Sequence, residues 1–163
     1  MGVVENGNLV VLVTLGPSGG LLDRREVHLT ERGMPTHPHH HEGSWAVGRH
    51  LDSPWARSIS LPEAVALVER VRERAAIGAR EGLEALAKSV PVAIDRIALR
   101  VCPVLPPTIE ERIRDHRAQT CADSVMYREA VAAAAGALGW SVHWYDRDEV
   151  FREAAAALAA LSH

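Results

Sequence analysis

The stretch from Asp95 to Tyr145 constrains the chain most: DRIALRVC, then PPTIEERIRDHRAQTCADSVMYREAVAAAAGALG, then WSVHWYD. Two short segments of alternating character flank a run with helical periodicity. This predicts strand, helix, strand, the connection that two parallel strands require. Thr108 and Glu111 form a T-x-x-E capping box, able to satisfy the amides that a first helical turn leaves unpaired. Pro106 and Pro107 bar an earlier start. No proline interrupts Ile109 to Leu138, and Gly136 and Gly139 mark the end, so one long helix is expected.

Helical spacing sorts the polar residues of this run. Arg112, His116, Gln119, Asp123 and Tyr127 fall on one face, and Arg114, Arg117, Cys121, Ser124 and Arg128 on the next. From Ala130 to Leu138 the composition turns almost wholly to alanine, suited to close packing on a sheet. Two accounts of the first stripe stand side by side. It is a solvated face held by i,i+4 pairs, or Arg112, His116, Asp123 and Tyr127 are catalytic residues bordering a common cleft. The second stripe nominates Arg114, Arg117 and Arg128 as anion-binding residues, because guanidinium offers forked donors to phosphate.

Upstream, Asn8 to Leu15 (NLVVLVTL) is a nearly continuous apolar run, as in a strand covered on both faces. The loop GPSGG and the alternating segment LLDRREVHLT complete an antiparallel hairpin within residues 1–31. Residues 32–59 carry little periodicity, although WAVGRHL offers a short third strand. They hold THPHHHEG, where His37, His39, His40, His41 and Glu42 crowd six positions. Neutral imidazole suits Zn and similar transition metals, so His37, His39, His41 and Glu42 are candidate ligands, with His116 or water completing the set. The competing account is a solvated Pro/His loop, packed down by Trp45 and Trp55. Residues 60–89 form the clearest helix, opened by the capping box Ser60-Leu61-Pro62-Glu63. Residues 95–163 read as βαβα, the last helix capped at Asp146 and carrying Val150, Phe151, Ala154, Ala155, Leu158 and Leu161 inward.

The order β-β-(β)-α-β-α-β-α over 163 residues predicts a single α/β domain: a mixed sheet flanked by helices, with parallel last strands. Net charge of −3 and pI near 6.3 exclude a global basic field. Cys102 and Cys121 form no CxxC, which argues against thiolate zinc and for a reducing, cytoplasmic setting. No apolar run reaches the length of a membrane span.

This order resembles the ribonuclease H-like superfamily. Within it, ADSVMYREAVAAAAGALGWSVHWYDRDEVFREAA is similar to the RuvC-like nucleases, and the hairpin-plus-loop beginning to the central domain of release-factor-like proteins. The resemblance implies a protein that binds or processes nucleic acid. Nucleases of that superfamily carry an aspartate on the first strand to hold two divalent metals, and NLVVLVTL has no carboxylate. Asp146 and Asp148 match only the general location of a later family acid. An altered or absent two-metal site is therefore expected. Two other classes stay open: a small-substrate metal-dependent hydrolase built on the His37–Glu42 loop, and a non-catalytic assembly module or homo-oligomer packing through its alanine-rich helix.

Overall fold

Among the described residues of the computed structural model, 1–153, five strands form one open sheet in the order β3-β2-β1-β4-β5. They are β1 (Gly2–Asn6), β2 (Leu9–Leu15), β3 (Leu21–His28), β4 (Arg96–Arg100) and β5 (Ser141–Tyr145). β1, β2 and β3 make an antiparallel meander, and β1, β4 and β5 run parallel. The turn Gly16–Gly20 closes the expected hairpin, with Gly19 at φ 82 where a side chain would strain the backbone.

The helices are α1 (Glu42–Ala46), α2 (Leu61–Ser89), α3 (Ile109–Arg114) and α4 (His116–Ala137). Residues 147–153 begin a further helix, α5, capped by Asp146, whose Oδ1 accepts the Asp148 amide at 2.8 Å. The inward residues expected beyond it, Ala154, Ala155, Leu158 and Leu161, lie outside the described residues.

Three expectations change. The strand ahead of the hairpin is β1, at residues 2–6, and the first strand is therefore not NLVVLVTL. The WAVGRHL segment is no strand: it finishes α1 and turns, with backbone bonds from Val47 and Arg49 to Ser44 O. The long helix is two helices, broken at Asp115, whose extended backbone (φ −80, ψ 115) closes α3 and caps α4. The break is sustained from both sides. Asp115 Oδ1 accepts from the Arg117 and Ala118 amides, and Arg49 donates to the freed carbonyls of Ile113 and Arg114.

One face of the sheet carries the core. Val3, Val10, Leu12, Ile97 and Leu99 meet Val68, Val71, Ala75, Leu83 and Leu86 of α2 and Met126, Ala130, Val131 and Ala135 of α4. Gly78 lets α2 approach the end of the meander, since a Cβ there would run into the carbonyl of Leu29. The opposite face begins with the exposed Val4, where Val150 and Phe151 of α5 border a depression with Arg100 and Tyr145. No helix among the described residues is long and apolar enough to cross a membrane.

Candidate functional site

The chemistry collects at one end of the sheet, where β1, β4 and β5 finish. α4 returns from there, and the part of its polar stripe formed by Gln119, Asp123 and Tyr127 is covered rather than solvated. Asp123, 3 % exposed, takes three donors from the histidine loop. Its Oδ1 accepts the His39 amide at 3.0 Å and His39 Nδ1 at 2.8 Å, and Oδ2 accepts the His40 amide at 3.0 Å. A buried carboxylate persists only with such partners, so the loop is anchored wherever the charge is buried. One turn on, the Tyr127 hydroxyl donates to Thr36 O at 2.9 Å. Burial, and then the neighbouring Asp123 charge, push the Tyr127 phenol well above its ordinary range, which keeps it a donor. One turn back, Gln119 Oε1 accepts from Ser44 Oγ and from Arg49, both at 3.0 Å.

The loop brings histidines together in a different set from that expected. His39 is turned inward onto Asp123, and Glu42 pairs with Arg57 at 2.7 Å. The outer side carries His37 and His41 with ring centroids 5.5 Å apart, His40 and His41 at 5.4 Å, and His40 and His50 at 6.3 Å. His40, His41 and His50 line a cavity of about 390 Å³ with Ser44, Trp45, Ser53 and Trp55. His50 holds φ 53, a left-handed backbone that non-glycine residues rarely adopt. Burial, then the neighbouring His41, lower the His40 pKa below the usual 6.5. Among the described residues, no three His, Cys, Asp or Glu side chains stand arranged as a ready metal site. Three buried polar atoms of the loop have no hydrogen-bond partner: His39 Nε2, His40 Nδ1 and Glu42 Oε2.

A second concavity, of about 460 Å³, lies at the ends of β4 and β5. Its walls include Arg100, Cys102, Thr120, Ser124, Arg128, Asp146, Arg147 and Asp148. Arg128 is buried and fully engaged. Its Nη2 meets Glu5 Oε1 at 2.8 Å, and its Nη1 donates to Val101 O at 2.8 Å. Glu5 stands near the end of β1, so the first strand does bear a carboxylate, correcting the expectation drawn from NLVVLVTL. Burial raises the Cys102 thiol pKa, against the opposing charge of Arg128.

The structure thus brings Asp123 and Tyr127 together under the loop but leaves His116 exposed in the first turn of α4. Arg112 is half-buried, its Nε donating to Pro106 O at 2.8 Å. Arg114 is exposed and pairs with Glu110 at 2.9 Å, and Arg117 is exposed beside the Thr120 wall. The sequence alone does not mark Glu5, Arg100, Arg147 or His50 as site residues. For Glu5, the apolar pair Val3-Val4 ahead of it is the available signal. Comparison with protein-family models, with curated proteins and with solved structures finds no match.

Proposed function

We propose that this chain binds nucleic acid at the carboxyl ends of its parallel strands, as a ribonuclease H-like protein without two-metal cleavage. One observation carries the reading: the Glu5–Arg128 pair, 2.8 Å apart, at the end of β1. In the superfamily that the sequence resembles, a first-strand acid holds divalent metal. Here the acid meets a guanidinium, which already supplies the compensating charge and is fixed by the carbonyls of β4's end. A cation bound there would have to displace a buried arginine and leave it unpaired, a costly exchange.

The strand order, with an antiparallel meander beside two parallel strands, supports the ribonuclease H-like reading. Open α/β sheets bind ligands beyond the carboxyl ends of their strands. Arg100 and Arg147 are exposed on the cleft wall and, with the Ser124 hydroxyl, offer donors to a phosphate backbone. Asp146 and Asp148 on the same wall temper the positive charge, which favours weak, salt-sensitive binding over tight capture.

Fluorescence anisotropy with labelled single-stranded and duplex oligonucleotides tests this. Binding at low salt is expected, weakened about tenfold in Arg100→Ala/Arg147→Ala, with a shallower dependence of affinity on salt. Added Mg²⁺ or Mn²⁺ should yield no cleavage. Absence of binding, or equal binding by the double variant, removes the reading; metal-dependent cleavage removes its metal-free part.

A further inference from the structure

The histidine cavity is a separate surface from the strand-end cleft, and its chemistry is independent of nucleic-acid binding. We infer that His40, His41 and His50 form the ligand set of one divalent transition-metal ion, zinc or a chemically similar ion, with an open coordination position facing the cavity. The three imidazoles line the same concavity of about 390 Å³, with His37 a further 5.5 Å from His41.

Two of the three ring spacings approach what coordination needs. The rings must turn to complete the set, since no three such side chains stand ready among the described residues. Two imidazoles bound at about 2.0–2.1 Å to one tetrahedral ion hold their ring centroids about 5 Å apart. The His40–His41 centroids are at 5.4 Å and the His40–His50 centroids at 6.3 Å. His41 and His50 are exposed, so turning their rings inward disturbs no core packing. Two further observations single out this place. His40 Nδ1 is buried without a partner, so this ring has hydrogen-bonding capacity that its present position leaves unused. His50 is held at φ 53, and backbone strain of that kind gathers where a side chain must be aimed.

The ligand set is also positioned from beneath. Asp123 Oδ2 accepts the His40 amide and Oδ1 takes the amide and ring of His39, so the peptide between the two residues is fixed on α4. The bonds of its amide and Nδ1 to Asp123 make His39 a positioning residue for the loop. Glu42 Oε1 is engaged by Arg57. Three imidazoles leave a tetrahedral ion one position for water or a small anion, and Trp45, Trp55, Ser44 and Ser53 frame that space.

The test uses the full chain, purified without an affinity tag or a metal column and stripped with chelator. Zn²⁺ is titrated by calorimetry, and Co²⁺ by the visible absorption that tetrahedral nitrogen ligation produces. One ion per chain is expected. His40→Ala and His50→Ala should each weaken binding by about tenfold or more, while His28→Ala and His143→Ala leave it unchanged. His41→Ala removes an exposed ring, so its folding is secure and its loss of affinity is the control for the other two. Circular dichroism of each variant without metal checks the fold. Binding that survives in His40→Ala, His41→Ala and His50→Ala overturns the assignment, as does sub-stoichiometric uptake or uptake spread over several equal weak sites.

Discussion

At the scale of single residues, Asp123 is the anchor on which the site depends. Removing it strands the His39 ring and two amides in a buried place, a loss of about 3 kcal/mol. Urea unfolding of Asp123→Ala should show it, while Tyr127→Phe, losing one bond to Thr36, should cost about 1 kcal/mol. His116→Ala, at an exposed position, should stay within about 0.5 kcal/mol. Equal effects at all three would contradict the buried stripe. The i,i+4 spacing correctly groups Gln119, Asp123 and Tyr127, because a helix fixes which side chains share a face. What covers that face is not legible, since the 36–49 loop has no periodicity and docks chiefly through backbone amides and single side chains. Cys102 adds a second residue-level expectation. A thiol whose pKa is raised holds less thiolate at a given pH, so Cys102 should alkylate more slowly near pH 8 than it does after unfolding in urea. Indistinguishable rates would place Cys102 in open solvent.

At the scale of elements, two of the helical glycines, Gly78 and Gly136, should respond with opposite sign. Gly78 faces the Leu29 carbonyl, so Gly78→Ala forces α2 off the meander at a cost of about 1–3 kcal/mol. A methyl group added at Gly136 would meet nothing within 4 Å, and Gly136→Ala should gain about 0.5–1 kcal/mol. Thermal melts of the two variants moving in the same direction would refute the packing. The α3–α4 break escapes the sequence because nothing in RIRDHRAQ stops a helix. Asp115 can be an ordinary surface residue or an N-cap, and only Arg49, distant in sequence, decides by taking the carbonyls that the break frees. The capping boxes at Ser60 and Thr108, by contrast, are readable outright, because both partners lie within one turn.

At the scale of the whole molecule, β1 sits in the middle of the sheet and is also its shortest link. It joins β4 through the single pair Gly2↔Ala98 and the bond from Ala98 N to Met1 O, 2.8 Å long. A chain beginning at residue 8 should therefore lose cooperative unfolding and near-ultraviolet circular dichroism, although the hairpin and both long helices remain encoded. A truncated chain that melts like the intact one would show β1 to be dispensable. β1 escapes the sequence because five residues containing Gly, Glu and Asn offer too little alternation to announce a strand. The parallel pairing of β4 with β5 is legible, since the length between them admits only a crossover.

The manner in which α4 holds the histidine loop has a bearing on how the surface could diversify. Two of the three donors to Asp123 are main-chain amides, a feature every non-proline residue supplies. The position after His39 can thus change identity without releasing its tether. The segment is in effect an exchangeable cartridge: a library randomised at 40, 41 and 50 over an unaltered Asp123 and His39 should yield mostly folded proteins, each presenting new chemistry from the same socket.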